Sequence, residues 1–119
     1  MNASLLTQPL TVGAFAPYGD VIEAVGEPSE IINRGMCGRF HDLAALEFQG
    51  EDARAGISVF NAKARAFPYQ LDMMERHPLG SQAFLPLSAD PFLVIVAADQ
   101  NGQPGDPQAF LTRPGQGVN

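Results

Sequence analysis

Twelve glycines and ten prolines are scattered along only 119 residues, and they break the chain before a helix of ordinary length can propagate. The stretches left between these breaks are the size of single strands. Candidate strands cover residues 21–25, 39–48, 56–62, 69–77, 82–87, 92–98 and 108–112, each bounded by Gly, Pro, Asn or Asp. Regular spacing of this kind predicts an all-β sandwich or small barrel. Near the start, Thr11 can cap one helical turn through Phe15, which Pro17 and Gly19 then end. The segment 101–107 (NGQPGDP) is turn chemistry throughout and is expected as an exposed loop that separates elements, not domains.

Apolar residues make up 45% of the chain, enough for one core in a single domain of this length. No apolar run approaches the roughly 20 residues a membrane helix needs, and the chain is expected to be soluble. Seven basic residues against thirteen acidic ones give a formal charge of −6, which disfavours nucleic acid and anionic membranes as partners. Cys37 is the only cysteine, so an internal disulfide framework is excluded and the reducing cytoplasm is the expected setting. The opening MNASLLTQPL has no basic residue ahead of its apolar positions and does not read as a secretory signal.

The continuous apolar run Phe92-Leu-Val-Ile-Val-Ala predicts a strand covered on both faces. On 69–77, alternation puts Tyr69, Leu71, Met73, Glu75 and His77 on one face, which passes from packing to chemistry along its length. Pro78-Leu79-Gly80-Ser81 suits a hairpin loop that returns Gln82 beside Glu75 and His77. A carboxylate, an imidazole and an amide brought together in this way can hold a divalent cation or grip a polar ligand. The plainer alternative pairs Glu75 with Arg76 or solvent and leaves His77 at the turn before Pro78.

Alternation also places Arg39 and His41 on one strand face, where an arginine can grip a carboxylate through a bidentate fork. Solvated surface charges are the competing account of the same pattern. Asn33 and Gly35 precede them in a turn that either makes the reversal alone or also brings an amide to the same pocket. Met73 and Met74 are adjacent, so at most one faces the core with Leu71. Cys37 has no histidine at a spacing that suggests an activated thiolate, and the glycines around Gly35 and Gly38 make no phosphate-binding fingerprint.

The segment Leu71-Asp-Met-Met-Glu-Arg-His-Pro-Leu-Gly-Ser-Gln-Ala-Phe-Leu-Pro-Leu, with Phe40-His-Asp-Leu, Tyr18-Gly-Asp-Val-Ile and Gly115-Gln-Gly-Val-Asn, resembles the ureidoglycolate lyase family of the cupin superfamily. The resemblance runs from about Leu10 to Asn119. It implies a cupin-like β-barrel with a short N-terminal helix, in which Glu75 and His77 stand where two histidines are usual and Gln82 where a glutamate follows. Family members continue past Gly-Val-Asn with a histidine-bearing segment and further strands. The resemblance therefore implies a C-terminally shortened chain, an incomplete barrel and an apolar edge covered by a partner, as in a homodimer.

The activity implied is elimination of urea from ureidoglycolate to give glyoxylate, in allantoin (purine) degradation. Glu75, His77 and Gln82 would hold a divalent metal ion or contact the substrate directly, with Glu75 and His77 catalytic. Arg39 would clamp the substrate carboxylate, His41 would carry a proton, and Asn33 would add a substrate contact. Two alternatives stand beside this: a non-catalytic module that binds a small carboxylate, and an inactive fragment whose barrel a partner completes.

Overall fold

The computed structural model describes residues 4–119. Its organising residue is Phe110, only 1% exposed, in the middle of strand β8 (Gln108–Leu111). Strand β8 lies between β1 (Thr7–Pro9), which runs parallel to it, and β5 (Leu93–Val96), which runs antiparallel with Val94 opposite Phe110. Leu10, Phe15 and Val118 close over Phe110, and the Phe15 ring meets it edge-on at 5.3 Å between centroids. Each fully buried side chain of this size contributes about 1.5–3 kcal/mol. The edge-to-face pair adds about 0.5–1.5 kcal/mol.

Phe15 reaches this position because α1 (Val12–Phe15) forms where the sequence predicts it, with Thr11 Oγ1 accepting from the Ala14 amide at 3.2 Å. The chain then enters β2 (Val21–Ile22), which pairs antiparallel with β9 (Gly117–Val118). On its other side β9 meets Phe84, with Phe84 N donating to Val118 O at 2.8 Å and Val118 N donating back to Phe84 O at 3.0 Å. A side chain at Gly117 would run into the Phe84 carbonyl, so this position needs glycine. Gln116, 1% exposed, locks the approach: its Nε2 donates to Leu10 O at 3.2 Å and to Glu23 Oε2 at 2.9 Å, and its Oε1 accepts from Arg113 N at 2.8 Å.

Two hairpins complete the regular structure. Strands β3 (Glu30–Ile32) and β4 (Cys37–Arg39) are joined through Asn33, Arg34 and Gly35, all at positive φ. Strands β6 (Asp99–Gln100) and β7 (Gln103–Pro104) are joined by Asn101-Gly102, also at positive φ. The segment read as a plain loop is thus partly a hairpin, because Asn-Gly supplies the two left-handed residues that match strand twist.

The structure is all-β apart from α1, and among the described residues the sheets do not close into a barrel. Several expected strands are absent as ladders. Residues 56–62 and 69–77 carry no strand, 82–87 keeps only the Phe84 bridge, and 39–48 is reduced to the end of β4 and a bridge from Phe48 to Gly80. The expected pairing of 69–77 with 82–87 is replaced by contacts across the turn, with Gln49 N donating to Leu79 O and Ser81 N to Glu47 O, both at 2.7 Å. Alternation fixes which way side chains point, but a ladder needs a neighbour offering free backbone groups. Likewise Leu93–Val96 is half-buried instead of covered on both faces, because β5 is an edge of its sheet.

The consequence is an open structure. Its accessible surface is 9932 Å², against about 6,200 Å² for a compact monomer of this mass. Ile57 is fully exposed, and Phe60, Phe67, Leu85 and Leu87 are largely so. Phe110→Ala is expected to cost about 3–5 kcal/mol in a denaturant titration. Gly117→Ala should cost about 1–3 kcal/mol by driving a methyl group into the Phe84 backbone.

Candidate functional site

The ring of Tyr18 packs on Phe15 and Phe110, and its outer side faces a cleft of about 700 Å³. The size is ordinary for a small-molecule site. Val94, Ile95 and Val96 of β5 form its floor with Phe84 and Val118, so the core that holds the fold together also backs the cleft. Residues 71–77 make one wall, and the turn through Gly80, Ser81 and Gln82 makes another.

Glu75, His77 and Gln82 all line this cleft. Glu75 Oε2 lies 3.2 Å from His77 Nε2, so the acid and the imidazole stand side by side, both well exposed to solvent. What holds the turn that carries Gln82 to this cleft is the bonding of 47–49 to 79–81, together with Glu47 N donating to Ser81 Oγ at 3.0 Å. The cleft also holds Asp20 and Glu47, which the pattern analysis did not single out. Asp20 sits inside the quoted Tyr18-Gly-Asp motif, whereas nothing around Glu47 signals its place. Among the described residues, no arginine or lysine lines the cleft, so three carboxylates give it a negative interior.

Arg39, His41 and Asn33 lie elsewhere, on or beside the β3–β4 hairpin, and do not line the cleft. Arg39 Nη1 donates to Glu30 Oε1 at 2.9 Å, and its Nη2 lies 2.6 Å from His41 Nδ1. Arginine can only donate, so His41 Nδ1 accepts in this arrangement. The His41 amide donates to Ser29 Oγ at 3.0 Å. Asn33 forms the hairpin turn at φ 55°, its carbonyl accepting from Met36 N at 3.2 Å.

Among the described residues, no three His, Cys, Asp or Glu side chains converge on one point. A cation in the cleft would therefore need a further donor besides Glu75 and His77, and the amide oxygen of Gln82, which lines the same cleft, is of a type that suits a hard or borderline divalent ion.

The geometry defines a class first: a β-rich protein with a cleft of mixed apolar and polar lining that carries an acid–imidazole pair. Comparison with known proteins narrows this. The ureidoglycolate lyase family pattern matches residues 2–119. The ureidoglycolate lyase of Rhodobacter capsulatus is 61% identical over 115 residues, covering 97% of this chain and 71% of the relative. That of Chelativorans is 56% identical over 115 residues, covering 97% and 70%, and that of Agrobacterium fabrum 52% identical over 119 residues, covering 100% and 72%. The chain belongs to the ureidoglycolate lyase family.

Just outside the cleft, Arg76 Nε donates to Asp99 Oδ2 at 2.7 Å, and this bond, aided by the Gly102 amide, holds the Asp99 carboxyl below its usual range. A depressed carboxyl stabilises the fold fully above its unfolded value and loses that contribution as the pH falls through the lowered one. In a carboxyl-carbon NMR titration, Asp99 should show a lower midpoint than the same residue in an unstructured peptide, and Arg76→Ala should raise it.

Proposed function

We propose that this cleft is where the chain performs ureidoglycolate lyase chemistry, converting ureidoglycolate into glyoxylate and urea. The observation that carries the reading is the Glu75–His77 pair in a cleft that Gln82 also lines, in a chain of this family. The reaction needs no water: the hydroxyl proton leaves, its oxygen pair collapses to the carbonyl, and the carbon–nitrogen bond breaks. The departing ureido nitrogen takes up a proton. His77 removes the hydroxyl proton and returns one to the nitrogen, with the Glu75 carboxylate standing beside its ring. Gln82 binds the polar end of the substrate through its amide.

The substrate is an anion, and Asp20, Glu47 and Glu75 line the cleft with no arginine or lysine among the described residues in its lining. Opposite charge has to come from somewhere. This electrostatic mismatch supports a variant of the reading in which Glu75, His77 and Gln82 would hold a divalent cation in place of the proton-transfer role of His77, and the cation would neutralise the substrate carboxylate and make its hydroxyl more acidic. Arg39 and His41 stand apart from the cleft, so the roles of carboxylate clamp and proton carrier fall to the cleft residues in this reading.

The wider setting follows in the same way. A cupin-type barrel is supported by the way β1–β8–β5 and β2–β9 back one cleft, and allantoin breakdown would supply the substrate. The largely exposed apolar side chains of Phe60, Phe67, Leu85 and Leu87 support a covering partner such as a second copy of the chain. No helix among the described residues is long and apolar enough to cross a membrane, and the exposed free thiol of Cys37 suits a reducing cytoplasm.

Purified chain supplied with ureidoglycolate should release urea and glyoxylate in equal amounts. His77→Ala and Glu75→Gln should each lower kcat by about 10²–10⁴-fold, and His41→Ala should cost far less. Full turnover by the His77 variant, or ligand binding without urea release by the intact chain, would remove the assignment. Titration calorimetry with a divalent cation should give binding that Glu75→Gln weakens, and a chelator should lower turnover reversibly. Sedimentation should give a dimer.

A further inference from the structure

The segment carrying Glu75 and His77 has no strand ladder to hold it. From 54 to 78, among the described residues, the one hydrogen bond to the rest of the chain is Arg76 Nε to Asp99 Oδ2. Asp99 is itself fixed, because its Oδ1 accepts from the Gly102 amide at 2.6 Å within the β6–β7 hairpin. That hairpin follows β5, the floor of the cleft, after two residues. In extended backbone the Arg76 side chain leaves from the face opposite Glu75 and His77. Holding Arg76 at Asp99 therefore turns the acid and the imidazole toward the cleft.

We propose that Arg76 and Asp99 are a positioning pair: without touching substrate, they set where Glu75 and His77 stand against the cleft floor. Two magnitudes separate this role from a merely structural one. The pair is about half exposed, with side-chain exposures of 55% and 47%, and exposed ion pairs contribute little to global stability. Misplacing a reacting group by about 1 Å, by contrast, costs about a hundredfold in rate. The pair should thus matter far more to turnover than to melting. This inference rests on the reading that Glu75 and His77 lie at the reacting centre.

The test uses the full chain with Arg76→Ala, Arg76→Lys, Asp99→Asn and the Arg76→Ala/Asp99→Asn double variant. It measures kcat, KM, melting temperature and the imidazole NMR signals of His77. Arg76→Ala should lower kcat about 10- to 100-fold with little change in KM or melting temperature. Arg76→Lys should recover most of that loss, and the double variant should be no worse than Arg76→Ala alone, since the two residues act as one unit. Wild-type turnover in Arg76→Ala would overturn the proposal, as would a loss that tracks the melting temperature and is not relieved by lysine. Should the intact chain release no urea, the lyase reading fails on its own, and the His77 signals decide the positioning claim. They move in Arg76→Ala and return in Arg76→Lys if the pair positions the ring, and staying unmoved in Arg76→Ala would overturn it.

Discussion

Burial of Phe110 is the constraint on which the rest of the molecule depends. Phe15 and Tyr18 arrive from the N-terminal turn, Leu10 from the end of β1 and Val118 from β9, so that residues separated by a hundred positions close over one ring. The polar counterpart is Gln116, whose three hydrogen bonds satisfy the backbone of Leu10 and Arg113 and reach Glu23 in a place water does not enter. Buried amides of this kind are costly when left unpaired and specific when paired, so Gln116 fixes how the C-terminal segment enters the core. From that entry follow the β2–β9 pair and the Phe84 bridge, and with them the back of the cleft.

The cleft inherits a rigid floor and a lightly held wall. Its floor belongs to β5 and the aromatic core, while the wall bearing Glu75 and His77 forms no strand and, among the described residues, is tied down by a single charge-assisted hydrogen bond. Such an arrangement places the acid–imidazole pair, the proposed reacting groups, on a segment that adds little to the stability of the whole. The cleft also carries negative charge, since Asp20, Glu47 and Glu75 line it from separate parts of the chain. An anionic substrate enters such a space only with compensating positive charge. The electrostatics of the site and the case for a cation are therefore one argument.

Much of the local structure was legible in the residues. Thr11 predicted α1, the runs at 92–98 and 108–112 predicted β5 and β8, and alternation along 69–77 placed Glu75 and His77 on one face. The Asn101-Gly102 turn was legible as a turn, and its hairpin could have been read from the same dipeptide. Other features were not available. The segments 56–62 and 69–77 have strand patterns without strand partners, and no periodicity says whether a neighbour will be present. Arg39 and His41 alternate as a site pair would, yet Glu30 across the hairpin engages Arg39 away from the cleft.

The sequence by itself determined the class of the fold, the punctuation of its elements, the family and the acid–imidazole pair, because these depend on residue type and short-range spacing. Only the tertiary structure decided that Asp20 and Glu47 share the cleft, that Arg39 does not, and that Asp99 holds Arg76. Those outcomes depend on which distant backbone groups and charges find one another once Phe110 is buried, and chain closure over such separations leaves no local mark in the order of residues.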